Sequence, residues 1–320
     1  MMELPERVEL IEVGPRDGFQ FEKTFIPTRV KQEIVTCLAK AGLGEIQVAS
    51  FVHPGKVPQM ADAEDLLLSL PESQSTVYTA LVLNSRGLDR ALSSGLSRVE
   101  ISVSVSDTHS RKNAGTSRDN ALEQGVKMVE RARAAGLTVR GSLQCAFGCV
   151  YEGRVPESTV VESTARLIGA GANWLALSDT NGMADPLLVA GLVSRVRPHL
   201  SLSQLILHLH DTRGLGLVNL MAGLQSGVTR FDTALGGMGG CPFAPGAAGN
   251  IATEDTLYLL QRLNIATGVR LPDVVTCTER MESFLGKTLP AMIRARHLGP
   301  ALGTSDRGSV FTPPEGSGRS

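Results

Sequence analysis

Eight short strand-like runs, each followed by a longer connecting stretch, constrain the fold of this chain more than any other feature. The runs begin at Val8, Glu45, Thr76, Arg98, Thr138, Trp174, Leu205 and Arg230. Helical patterns such as TRVKQEIVTCLAKAG, RDNALEQGVKMVERARAAG and PESTVVESTARLIGAGA lie between them. A strand joined to the next by a helix makes a parallel pair, and eight such units close a (β/α)8 barrel of ~250 residues. Gly42, Gly136 and Gly169 stand where helices should end on a left-handed cap. A doubly wound open sheet is the rival architecture. It ordinarily carries a glycine-rich turn after the first strand, whereas here that turn reads GPRDGFQ, with charged side chains in it.

The chain has 320 residues, 42% of them hydrophobic and 20% charged, enough apolar material for one large core. The reading is an α/β protein with a single TIM-barrel domain over 1–298. Extra C-terminal helices, roughly Pro272 to Arg296, pack beside the barrel. Residues 299–320, rich in Gly, Ser, Pro and Thr, read as a flexible tail. Two separate domains of about 150 residues are the plainer alternative. Lys and Arg number 31 against 32 Asp and Glu, so bulk charge predicts neither a nucleic acid nor a membrane as partner. An anionic substrate must then be held by local groups. The cysteines (Cys37, Cys145, Cys149, Cys241 and Cys277) are odd in number and sparse, which predicts reduced thiols and a cytoplasmic location. The N-terminus lacks the layout of a signal peptide, and no apolar run approaches the ~18 residues needed to span a bilayer.

Chemistry in a barrel sits on the loops at the C-terminal ends of the strands. Arg16 and Asp17 follow the first run directly. Alone, such a pair is more often an ordinary solvated turn. The seventh run ends His208-Leu209-His210-Asp211, and residues two apart on a strand face the same way, so the two imidazoles form a candidate ligand pair. After the eighth run comes GGMGGCPFAPGAAGN, residues 236–250, with six glycines and Cys241 near its centre. So many glycines predict close approach to a ligand or hinge motion, and a reactive role for the cysteine. Asp17, His208, His210 and Asn250 make a set of one carboxylate, two imidazoles and one amide, suited to Mg2+ or Mn2+, with zinc as the alternative. Cys145 and Cys149 have no second cysteine pair to complete a metal site, so packing is their expected role. Lys112 and Asn113 read equally well as phosphate contacts or as a solvated loop.

The blocks EVGPRDGFQFEK, SFVHPGKVPQM, CAFGCVYEG, LSDTNG, HLHDTRGLGLVN and GMGGCPFAPGAAGNIATED resemble those of the 3-hydroxy-3-methylglutaryl-CoA lyase family, over about Val8 to Lys287. That family belongs to the metallolyase barrels, with isopropylmalate synthase and the carboxyltransferase domains of pyruvate carboxylase. The resemblance implies a carbon–carbon lyase acting on a CoA thioester and forming a homo-oligomer. It implies metal binding by Asp17, His208, His210 and Asn250, with Arg16 facing the thioester oxygen. Cys241 would take part in proton transfer, and Asp179 would lie close to the substrate hydroxyl. Asp17 and His208 are the candidate bases. Gln20, Lys23 and Lys287 would help hold the CoA moiety.

The chain departs from the family at three places. Gln47 stands where the family carries a glutamate at the end of strand two, Leu285 where it carries an asparagine, and Ser178 where it carries a glycine. The departures leave the acyl group open between 3-hydroxy-3-methylglutaryl-CoA and a relative such as citramalyl-CoA. An acyl-CoA condensing synthase and a catalytically dead barrel that binds a CoA ester are the alternatives from other classes.

Overall fold

The computed structural model describes residues 3–240 and 249–298. All eight runs are parallel strands: β1 (Glu9–Glu12), β2 (Glu45–Ser50), β3 (Val77–Val82), β4 (Arg98–Ser104), β5 (Thr138–Gln144), β6 (Trp174–Ser178), β7 (Leu205–His208) and β8 (Arg230–Thr233). Each pairs with the next and β8 pairs with β1, so the sheet closes into a barrel and the open-sheet alternative falls. The long helices lie between successive strands, including Thr28–Lys40, Arg118–Ala134 and Glu157–Gly169, where the sequence pattern sets them.

The two-residue period of a strand decides what enters the barrel. In β6, Leu175 and Leu177 join the large core between sheet and helices, while Ala176 belongs to a small separate cluster with Ile11, Val13, Ile206 and Ala234. In β7, Leu205 and Leu207 pack outward and Ile206 inward, so His208 follows Ile206 into the interior. Barrel interiors are ordinarily filled by branched aliphatic side chains. Here Gln47, Glu100, Arg140 and Asp232 are buried instead, in a polar belt linked by hydrogen bonds and ion pairs.

After β8 the chain adds helices Thr253–Arg262 and Leu271–Leu285. The latter covers the first part of the helical stretch expected over 272–296, and a short turn at Ala295–His297 is the only helical piece among the described residues after it. Cys277 of the Leu271–Leu285 helix forms a disulfide with Cys37 of the Thr28–Lys40 helix, at a Cα–Cα distance of 6.0 Å. This corrects the expectation that every cysteine is a free thiol: packing of the two helices brings together residues 240 apart in sequence, which cysteine spacing does not reveal. Gly42 and Gly136 do take left-handed conformations (φ 103° and 88°), but Gly169 is the last residue of its helix and Gly171 (φ 101°) makes the turn instead. Among the described residues, no helix is long and apolar enough to cross a membrane. The 299–320 tail lies outside the described residues.

Candidate active site

The segment after β1, Gly14–Gly18, forms a single π-helical turn, a wide geometry that recurs at functional sites. It turns Arg16 and Asp17 inward, and both are buried. The solvated-turn reading of this pair is therefore wrong. Close packing against the chain leaving β8 holds the turn: a Cβ at Gly18 would stand only 2.6 Å from the Met238 Cβ. From below, Glu12 Oε1 accepts from Gly14 N (2.7 Å) and Leu235 N (2.9 Å), and Oε2 accepts from the Thr253 hydroxyl.

Burial pushes the Glu12 carboxyl up to about 8, against opposing hydrogen bonds from Thr253, Leu235 and Gly14. An acid whose folded pKa exceeds its unfolded value binds its proton more tightly in the folded state. Its stabilising effect is full below about pH 4.5 and is lost as pH rises toward about 8. Wild-type protein should therefore lose urea resistance between pH 5.5 and pH 8 by a larger margin than Glu12→Gln. Parallel pH profiles of the two unfolding midpoints would discard this account.

At the seventh strand, both imidazoles turn to one side. The His208 and His210 ring centroids are 5.0 Å apart and their Nε2 atoms 3.1 Å apart. His210 is fixed by a bridge to Asn250, with Asp211 N donating to Gly249 O (2.7 Å) and Ile251 N to Leu209 O (3.1 Å). Asp17 Oδ2 lies 3.8 Å from each Nε2. One ligand atom each from Asp17, His208 and His210 falls within a 4.8 Å cluster. Asn250 completes the group: its Nδ2 donates to Asp17 Oδ2 (2.7 Å) and Met238 O (3.1 Å), while its Oδ1 is buried without a partner. Gly239 (φ 121°) runs so close that a Cβ there would stand 2.6 Å from Asn250 Nδ2.

Two imidazole nitrogens and a carboxylate, with an amide side chain bonded to that carboxylate and its own oxygen unpartnered, make a donor set that fits a hard divalent cation. His208 carries the outer partner typical of such ligands, because its Nδ1 contacts Asp232 Oδ2 at 2.9 Å and leaves Nε2 for the centre. Burial by itself would raise the Asp17 pKa. The Arg16 charge beside it, together with the two histidines, instead holds the carboxyl well below the usual range, so it is ionised at neutral pH.

A cavity of about 400 Å3 opens against this cluster, and Arg16, Asp17, His208 and His210 all line it. Ser50, Ser102, Ser142 and Ser178 put small hydroxyls on its wall, leaving room where larger side chains would fill the barrel. Lys112 and Asn113, read two ways in sequence, also face this cavity. The Lys112 Nζ sits 4.4 Å from the Tyr151 ring centre and Asn113 bonds Gln144 Oε1 at 3.2 Å.

Other candidates are placed differently. Gln20 donates to Asp17 Oδ1 (2.8 Å) and lines the cavity, so it supports the acidic ligand. Lys287 is exposed and pairs with Glu22 at 2.7 Å, next in sequence to the exposed Lys23, away from the cavity wall. Asp179 is buried behind the wall. Its Oδ1 accepts from Met183 N (2.7 Å) and Ala184 N (3.1 Å), which shapes the turn, while Oδ2 is left unpartnered. Burial raises its pKa, opposed by His210. Cys241 lies outside the described residues. Cys145 and Cys149 are buried, Cys149 accepts from the Ser106 hydroxyl at 3.0 Å, and burial raises the Cys145 thiol, as packing predicts.

Sequence reasoning missed Glu100, Arg140 and Asp232. Arg140 forms a two-pronged ion pair with Asp232, and its Nε lies 3.1 Å from Glu100 Oε2. Glu100 in turn accepts from Gln47 Nε2 at 2.8 Å. A carboxylate from β4 therefore stands against the Gln47 amide. The overlooked signal was strand parity: Glu100 lies between the outward-packed Val99 and Ile101, Arg140 follows Val139 and Asp232 follows Phe231.

A closed parallel barrel with a carboxylate, two imidazoles and a guanidinium converging at its C-terminal mouth defines a barrel enzyme with a candidate metal site. The HMGL-like family model matches residues 7–280. Hydroxymethylglutaryl-CoA lyase of Bacillus subtilis is 39% identical over 91% of this chain and 97% of its own length. The mitochondrial hydroxymethylglutaryl-CoA lyase of Mus musculus is 40% identical over 84% of this chain and 82% of its own. The B. subtilis crystal structure superposes with a TM-score of 0.89, covering 91% of this chain and 98% of that one at 39% identity. An HMG-CoA lyase from Acinetobacter baumannii, solved with coenzyme A and 3-methylmalate, gives 0.86 at 32% identity, covering 98% and 100% of the two chains. This chain belongs to the HMGL-like family and is a carbon–carbon lyase.

Proposed function

We propose that this protein cleaves 3-hydroxy-3-methylglutaryl-CoA to acetyl-CoA and acetoacetate with the help of Mg2+ or Mn2+. The convergence of Asp17, His208 and His210 beside Arg16, with the Asn250 side chain bonded to Asp17, carries the reading. Bound there, a divalent ion supplies the charge that lowers the pKa of the substrate hydroxyl. His208 suits the hydroxyl proton better than Asp17 does, because it lines the cavity while Arg16 makes Asp17 a weak base. Asp179 sits behind the wall with one oxygen held by its own turn. As the carbon–carbon bond breaks, the hydroxyl carbon becomes a ketone and its electron pair passes to the thioester as an enolate. Arg16 faces the enolate oxygen as a preorganised cation. Cys241, by its family resemblance, delivers a proton to the enolate carbon and completes acetyl-CoA. Lys23 and Lys287 hold the CoA outside the barrel.

The serine-lined wall favours one second reading, the same cleavage on a related hydroxy-diacid thioester such as citramalyl-CoA, giving acetyl-CoA and pyruvate. Turnover of purified protein on a panel of 3-hydroxyacyl-CoA thioesters, with Mg2+ and with Mn2+, decides between them. The methylglutaryl thioester should show the highest kcat/KM. No cleavage of it would remove the first reading, and no cleavage of any member would remove both.

A further inference from the structure

Gln47 lies between two opposite charges. Arg16 Nε donates to its Oε1, and its own Nε2 donates to Glu100 Oε2. All three side chains are buried, Arg16 at 7% exposure, Gln47 at 1% and Glu100 at 4%. An amide has an accepting end and a donating end, so only one of its two orientations serves Arg16. Turned by half a rotation, Gln47 would set its NH2 against the guanidinium N–H, donor facing donor, in a site with few substitutes. A carboxylate only accepts, so Glu100 can take only the NH2 end and thereby aims the oxygen at Arg16. Glu100 is itself steadied by Arg140, whose terminal nitrogens grip Asp232.

We propose that Glu100 is a positioning residue for Arg16: by orienting the Gln47 amide, it fixes the direction of the guanidinium toward the reacting oxygen. The proposal rests on the reading of Arg16 as the group that faces the thioester oxygen. Glu100 touches neither Arg16 nor the ligand cluster through any direct hydrogen bond or ion pair among the described residues. Glu100 also lines the cavity, so an effect carried through Gln47 has to be separated from a direct one, which a reciprocal exchange does.

The test is a reciprocal exchange. Glu100→Gln keeps the shape and removes the rule that orders the amide, so kcat should fall at least ~10-fold, as misplacement of a reacting group does. KM and Mn2+ affinity should stay near wild type. Gln47→Glu alone sets two carboxylates face to face and should also lose turnover. In the Q47E/E100Q double variant, a carboxylate at position 47 accepts through either oxygen, so no amide needs ordering. Its kcat should recover to at least ~5-fold above that of Glu100→Gln, a return that general loss of packing does not produce. Wild-type kcat in Glu100→Gln, or a double variant no faster than that single, overturns the proposal. If Glu100→Gln does not fold, Gln47→Glu against the double variant makes the comparison, and equal turnover overturns it. Unchanged kcat in Arg16→Gln would instead remove the reading of Arg16, so the two failures are separable.

Discussion

Glutamine in place of Arg16 should slow turnover by ~10²–10³-fold at saturating substrate, the usual cost of removing a principal donor to a developing oxyanion. The size follows from how the guanidinium is held. Arg16 is buried, bonded through Nε to Gln47 and through a terminal nitrogen to Asp17, so its charge stands in place before the reaction begins. A preorganised cation in a water-poor cleft needs no reorganisation as the enolate forms. Arg16→Lys keeps the charge but not the two-sided grip, and should recover only part of the loss. Because Arg16 also holds the Asp17 carboxyl down, its removal lets protons compete for that ligand. Divalent-ion binding in Arg16→Gln should consequently weaken more at pH 5.5 than at pH 8. Steady-state kinetics with calorimetric Mn2+ titration at both values checks the pair of effects. Wild-type kcat in the glutamine variant would end the assignment.

Stripping the divalent ion should cost still more. The ion is asked for several kcal/mol of alkoxide stabilisation, which corresponds to a loss on the order of 10³-fold or greater. Protein dialysed against a chelator should be inactive and should regain turnover with Mg2+ or Mn2+. His210→Ala should bind Mn2+ too weakly for calorimetry, because it removes one of the three clustered ligand atoms. Asp232→Asn leaves all three in place but loosens His208, and should cost ~10–100-fold in ion affinity. Full turnover in chelated protein, with metal absent by elemental analysis, would discard the cation site and the mechanism built on it.

Both predictions concern residues visible in the sequence, and their visibility has a local cause. The strand-then-helix alternation is a short-range property, so the eight strands and the helices between them were legible along the chain. Parity was enough to align His208 with His210. Asp17 and Asn250 were marked by unusual residue types next to strand ends. The belt behind them was not marked in that way. Glu100, Arg140 and Asp232 look like ordinary strand charges until closure of the barrel turns three separate strands toward one axis. The same holds for Cys37 and Cys277, whose pairing depends on how two helices meet.

The sequence by itself determined the barrel, the ends of the strands that carry the chemistry, and the residue types available for a cation. These follow from periodicity and from side-chain chemistry, which neighbouring residues set; the oxyanion role of Arg16 came from the family resemblance. Only the tertiary structure decided which charges face one another. It gave Gln47 a carboxylate partner from β4, left the Asn250 oxygen without a bond, and committed one oxygen of Asp179 to its own turn. The physical reason is that burial makes each polar contact depend on every other group in the same small volume, and chain closure alone fixes which groups share it.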